Sequence, residues 1–234
     1  MYTLPQKLFA ETIGTCGVVF IATGAICADQ YQRAAGSSPL GPLGCALAYG
    51  LAVALMTSAF AHISGAHLNP AITVAQWVSR RMGTWTGLCY CAAQLAGALA
   101  GAALLAAILP DTLWRPVGLG TPNLTTDFTR AHGMLLEGVL TFIVVLVTFA
   151  KPMDARGLSH QVAAFAIGLT VAACSLVGVP FTGAAMNPAR VFGPALVAHH
   201  WQNHGVYWLG PLFGASLAGI LHDRVYLRER PAAP

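Results

Sequence analysis

Charged side chains are scarce in this chain: Lys, Arg, Asp and Glu together make up 9% of its 234 residues, against roughly a quarter in ordinary soluble domains. None at all falls within 34–79, 82–110, 157–189 or 191–222. Stretches of that length cannot build a water-facing surface, which excludes a soluble globular protein. The six cysteines (Cys16, Cys27, Cys45, Cys89, Cys91, Cys174) nearly all sit inside apolar runs with no metal-type spacing, so neither a disulfide framework nor a metal centre is expected. No nucleophile–base pairing, phosphate loop or ligand cluster is apparent, so the chain is expected to be no enzyme and to need no cofactor. The basic residues behind the net charge of +4 are spread among connections. That scatter fits topology signals and not nucleic-acid binding.

What is abundant is apolar: 56% of residues are hydrophobic and the mean hydropathy is +0.64. About 20 apolar residues cross a hydrocarbon core, and polar breaks divide the chain into six such spans near 7–27, 43–62, 84–109, 130–149, 161–179 and 206–221. The first run is long and follows Lys7 without an early Ala-x-Ala exit, so it is expected to be a span and not a cleavable leader. The connections 30–41 and 110–129 carry Gly, Pro, Ser and Asn and are predicted to be loops.

Six crossings place both termini on one side. Lys7, Arg80, Arg81, Lys151, Arg156, Arg224, Arg228 and Arg230 share that side, with only Arg33, Arg115 and Arg130 opposite. The positive-inside rule then predicts a multi-pass protein of the cell membrane with both termini cytoplasmic.

One motif occurs twice. Ser64-Gly65-Ala66-His67-Leu68-Asn69-Pro70-Ala71 is followed 118 residues later by Thr182-Gly183-Ala184-Ala185-Met186-Asn187-Pro188-Ala189-Arg190. Glu11 and Glu137 repeat at a similar offset, and three crossings per half make the two copies inverted. The chain is therefore read as a single domain, 1–234, with repeats at about 7–109 and 130–222.

Asn followed by Pro suits the start of a helix, with Asn as N-cap and Pro at the first helical position. Each motif lies in a stretch too short to cross, so an extended stretch going in and a half-helix coming out are predicted. Carbonyls of that stretch must face water or protein, and two helix N-termini meeting at mid-membrane set up a positive field that repels cations and protons. The amides of Asn69 and Asn187 would then point at the passing solute, water above all.

Glu11, Glu137 and Arg190 are charges inside the membrane, costing about 2.5–3.5 kcal/mol each on lenient scales. The two Glu residues are expected to accept hydrogen bonds from loop N–H groups, with a proton relay in a coupled transporter as the competing reading. Arg190, three residues past Asn187, is expected to hold solutes and repel cations, or else to snorkel to the interface. Its counterpart is Ile72. His62 and His67 flank the first motif, with His67 a candidate pore-lining group. His199, His200 and His204 are expected in a solvated loop, and Gly97 and Gly101 at a close helix contact.

The sequence His62-Ile63-Ser64-Gly65-Ala66-His67-Leu68-Asn69-Pro70-Ala71, together with Met186-Asn187-Pro188-Ala189-Arg190, resembles the two signatures of the major intrinsic protein (aquaporin) family. Gln94-Leu95-Ala96-Gly97-Ala98 and Tyr207-Trp208-Leu209-Gly210-Pro211 are lesser matches, and the resemblance covers nearly the whole chain. It implies an all-α membrane fold: a right-handed bundle of six transmembrane helices plus two re-entrant half-helices, assembled as a homotetramer in the lipid bilayer. It also implies a pore formed by Asn69, Pro70, Ala71, Asn187, Pro188 and Ala189, and a selectivity filter of Tyr49, Ser175, Ala184 and Arg190. Ser175 stands where water-selective members typically carry a bulky His, which implies a wider filter. Val191 and Ala195, and the Tyr207-Trp208 pair, resemble water channels instead. The expected function is a passive channel for water and small uncharged solutes such as ammonia, urea, glycerol or metalloid hydroxides, excluding protons and ions. A strictly water-selective channel, a coupled transporter and a non-conducting junction protein are the alternatives.

Overall fold

A computed structural model describes residues 2–150 and 160–226. The helices are α1 (Leu4–Ala34), α2 (Gly41–Ser64), α3 (Pro70–Val78), α4 (Thr84–Ile108), α5 (Asp111–Trp114), α6 (Arg130–Phe149), α7 (His160–Thr182), α8 (Pro188–Ala198) and α9 (Val206–Leu221). No strand occurs among the described residues.

Five helices are long and apolar enough to cross a membrane: α1, α2, α4, α6 and most of α7. The sixth predicted crossing, α9, has 16 residues, or about 24 Å at 1.5 Å per residue. A π-helical turn, His222–Tyr226, prolongs it. The first span is longer than predicted because the helix does not stop where the apolar run does. Asp29 and Arg33 pair one turn apart at 2.7 Å, and Asp29 Oδ1 accepts from Gly41 N at 2.6 Å, tying the helix end to the start of α2. The predicted loop 110–129 likewise contains α5 and a 3₁₀ segment, Arg115–Gly120. Lys151, Arg156, Arg228 and Arg230, counted above toward topology, lie outside the described residues.

Packing follows a symmetric scheme. α1 lies against α2 and α4, α6 against α7 and α9, and α2 crosses α7. Small residues set these approaches. A Cβ on Gly101 would stand 2.5 Å from Cys16 O of α1, and one on Gly97 would collide with Thr12 O. The α6–α9 contact is built alike, with Gly210 against Met134 O and Gly214 against Gly138 O. At the α2–α7 crossing a Cβ on Gly50 would meet Gly168 O at 2.5 Å. Backbones packed this closely gain dispersion contacts that lipid does not offer in their place. The outer faces stay apolar, with Leu43, Leu47, Leu51 and Leu55 exposed in an i, i+4 row along α2, as lipid contact requires.

The two short helices complete the bundle. α3 packs on α9 and α4, and α8 on α4. With 9 and 11 residues they are about 14 and 16 Å long, so together they match one hydrocarbon thickness of about 30 Å.

Candidate functional site

Each short helix begins as its sequence predicts. Asn69 is extended (φ −158°, ψ 119°) and its Oδ1 accepts from Ala71 N at 2.8 Å. Asn187 (φ −151°, ψ 108°) accepts from Ala189 N at 3.0 Å and more weakly from Arg190 N at 3.4 Å. Pro70 and Pro188 hold the first helical positions, where no N–H is required.

The residues before each Asn are non-helical, as predicted, but their backbone alternates in handedness. φ is positive at Gly65 (89°), Ala66 (47°) and Leu68 (51°), and again at Gly183 (80°), Ala184 (47°) and Met186 (52°). Such backbone is costly for alanine, leucine and methionine, and a buried carboxylate offsets the cost. Backbone of alternating handedness turns successive N–H groups to one side. Here that side holds a glutamate: Glu11 accepts from His67 N at 3.0 Å and Leu68 N at 2.7 Å, and Glu137 from Ala185 N at 2.9 Å and Met186 N at 2.7 Å. Ser64 Oγ (2.6 Å) and Thr182 Oγ1 (2.7 Å) donate to the same carboxylates and in turn accept from Ala66 N and Ala184 N.

The two loops also hold one another. Asn69 Nδ2 donates to Met186 O and Asn187 Nδ2 to Leu68 O, both at 2.9 Å. This corrects the expectation that both amide hydrogens face the solute: one of the two on each Asn joins the loops by meeting a carbonyl of the facing one.

Two cavities meet at this point. The narrow one offers about 20 Å³ and is lined by Asn69, Asn187, His67, Val18, Val144 and Tyr49 among others. One water needs roughly 10–15 Å³ of such room, so the cavity is of single-water width and no more. The wide one, of about 430 Å³, is lined by Tyr49, Ser175, Arg190, Asn123, Asp29 and Arg33 among others. Tyr49 is the residue common to both linings. Arg190 is 2% exposed. Its Nη1 donates to Gly120 O at 2.9 Å, its guanidinium carbon lies 6.0 Å from the Tyr49 ring centre, and its Nε has no partner. The buried Ser175 Oγ is unpartnered as well. The wide cavity thus carries a buried guanidinium in its wall.

The profile of the Major intrinsic protein family matches residues 2–222. The chain belongs to the major intrinsic protein family. It is 42% identical to bovine (Bos taurus) aquaporin-4 over 180 residues, a match spanning 77% of this chain but only 55% of that protein. It is 40% identical over 225 residues to a probable aquaporin, TIP3-2, of Arabidopsis thaliana, covering 93% of this chain and 82% of that one. The X-ray structure of the aquaglyceroporin from Plasmodium falciparum superposes with a TM-score of 0.83 at 20% identity, over 96% of this chain and 97% of that one, a likeness of fold. A multi-pass membrane protein of the major intrinsic protein family is thus in hand.

Of the four residues the family resemblance singled out as a filter, Tyr49, Ser175 and Arg190 line the wide cavity, while Ala184 is fully buried and sits beside Gly178 of α7 instead. It belongs to the core cluster that also holds Tyr49, Leu140 and Met186. His67 lines the narrow cavity, with Nδ1 3.0 Å from Thr73 Oγ1, which also accepts from Gln94 Nε2. His62 stacks edge-on to Tyr2. His200 lies over Gly118, and His204 Nε2 accepts from Trp208 Nε1 at 2.9 Å, so that ring is anchored and not merely solvated.

Tyr90 escaped the sequence reading, and Tyr207 entered it only through the family resemblance, without a role. Tyr90 OH donates to Ser64 O at 2.9 Å and Tyr207 OH to Thr182 O at 2.8 Å, bracing both loops at the same position from α4 and α9. Their spacing of 117 residues, close to the motif's own 118, was the available signal.

Proposed function

We propose that this protein is a passive channel that conducts water and small uncharged solutes and excludes protons and other ions. The observation that carries the proposal is the row of polar groups from Asn69 and Asn187 past Tyr49 to Arg190, along a narrow cavity that opens into a wide one. Each half-helix brings roughly +0.5 elementary charge to the midplane, and the Arg190 guanidinium adds a full one. A neutral solute crosses that field without penalty, whereas a cation meets repulsion at two levels. A coupled transporter would need a carboxylate free to change its protonation. Glu11 and Glu137 are instead occupied by four and three donors, which favours a channel without energy coupling or catalysis.

Asn69, Pro70, Ala71, Asn187, Pro188 and Ala189 form the central constriction in this reading, and Tyr49, Ser175 and Arg190 the filter, with Ala184 contributing through its backbone. The small Ser175 side chain leaves room for ammonia, urea, glycerol or metalloid hydroxides. The channel is one domain of two inverted repeats, about 7–109 and 130–222, working as a homotetramer in the cell membrane with both termini cytoplasmic.

The test is stopped-flow permeability of proteoliposomes to water, glycerol, urea and ammonia, with and without a pH gradient, for wild type and Ser175→His. Water flux indifferent to the gradient, and a solute profile narrowed toward water by the variant, are expected. A profile unchanged by Ser175→His would sink the filter assignment.

A further inference from the structure

Another cavity, of about 100 Å³, lies between α3 and α4 and shares no lining residue with the narrow one. Its walls come from Thr73, Val74 and Trp77 of α3 and from Gly87, Leu88 and Cys91 of α4. Leu88 and Trp77 are exposed, so the mouth faces outward, where α4 as a membrane span meets lipid. The hydroxyls in the wall are engaged. Thr84 Oγ1 accepts from Trp77 Nε1 at 3.0 Å, which pins the indole at the rim, and Thr73 Oγ1 donates to Asn69 O at 3.2 Å and accepts from Gln94 Nε2 at 2.9 Å. Thr73 joins this cavity to the passage. Its methyl faces the room left by Gly87, whose added Cβ would meet that Cγ2 at 3.9 Å and nothing closer than Met82 Sδ at 3.7 Å. Its hydroxyl lies 3.0 Å from Nδ1 of His67, which lines the narrow cavity.

We propose that this cavity binds an acyl chain of the surrounding lipid, and that the bound chain steadies the passage through Thr73. The inference rests on the channel reading above. Walls of valine, leucine, indole and a threonine methyl suit a hydrocarbon, and an apolar space of about 150 Å³ is known to stay dry and to admit benzene or xenon. Lipid is the medium at the mouth, which singles out the acyl chain among apolar occupants. An indole at such a rim belongs at headgroup level, so the chain enters beneath Trp77. An empty cavity forfeits dispersion contacts that an occupant restores. With the chain in place, the Thr73 methyl is packed and its hydroxyl stays on His67. With the cavity empty, Thr73 turns into it, and the released His67 ring swings into a passage of single-water width.

The experiment measures water-driven shrinkage per reconstituted channel, above empty liposomes, in palmitoyl-oleoyl and in diphytanoyl phosphatidylcholine, whose methyl branches make the chain too bulky to enter. Wild type is expected to conduct about twofold to tenfold faster in the straight-chain lipid, the factor that one net neutral hydrogen bond is worth. Gly87→Leu fills the cavity from within, so its rate should be the same in both lipids. Thr73→Val keeps the shape and loses the hydroxyl, so it should be slow in both. A wild type indifferent to chain shape overturns the inference. So does a Gly87→Leu protein as lipid-sensitive as wild type, which would assign the effect to the bilayer at large, or a Thr73→Val protein that keeps the sensitivity. Wild-type vesicles that shrink no faster than empty liposomes in either lipid would overturn the channel reading itself and this inference with it.

Discussion

Removing the Glu11 carboxylate by Glu11→Ala should loosen the first Asn-Pro-Ala loop and cost a measurable part of the protein's stability. The side chain accepts from His67 N (3.0 Å), Leu68 N (2.7 Å), Ser64 Oγ (2.6 Å) and Gln94 Nε2 (2.8 Å), and it is 0% exposed. Ser64 and Gln94 can turn to other partners, but the two backbone donors cannot. Stranding a buried donor costs about 1–3 kcal/mol, so the pair accounts for about 2–6 kcal/mol. For a chain of this length each kcal/mol lowers the melting temperature by roughly 2–4 °C, which puts the expected fall at roughly 4–24 °C. The positive φ values of Ala66 and Leu68 are retained only while those N–H groups have a common acceptor. Water flux should therefore fall with stability, because Leu68 O and the Asn69 cap move together. Thermal unfolding in detergent, followed by size-exclusion chromatography, and proteoliposome shrinkage measure the two effects. A Glu11→Ala protein that melts and conducts like wild type would refute the reasoning. Loss of response to a pH gradient without loss of stability would point to proton relay instead.

Gly120→Ala should disturb Arg190 from a distance: φ is +71° there and a Cβ would sit 3.1 Å from Thr23 Cα, so the Gly120 carbonyl that receives Nη1 must shift. Strain of about 1–3 kcal/mol is expected, read as a lower melting temperature together with altered urea-to-water selectivity. His204 lies between α8 and α9, and burial holds its imidazole below the ordinary value of 6.5. The unfolded chain then binds the proton more readily than the folded one, so the contribution of His204 to stability is complete above about pH 6.5 and is lost as pH falls through the lowered folded value. Melting temperature should drop on acidification below pH 6.5, and His204→Gln should flatten that dependence.

Much of this architecture is legible in the residues because local chemistry and membrane physics point the same way. Asn69-Pro70 and Asn187-Pro188 announce helix starts through caps that need no tertiary help, and charge-free runs of fixed length announce crossings. What stays hidden depends on partners far along the chain. No propensity favours left-handed Leu68 or Met186; their backbone is set by Glu11 and Glu137, 57 and 49 residues away. α1 runs on to Ala34 because Asp29 finds both Arg33 and Gly41 N, a pairing that hydropathy does not register. Tyr90 reads as an ordinary aromatic of an apolar helix, and Tyr207 as part of a family match without a role, until the carbonyls they meet are known.

The crossed asparagine amides have a consequence for biogenesis. Since Asn69 closes on Met186 and Asn187 on Leu68, the first half cannot complete its polar seam until 118 residues beyond Asn69 have been synthesised. The two halves, produced as separate polypeptides, should mature only when made together.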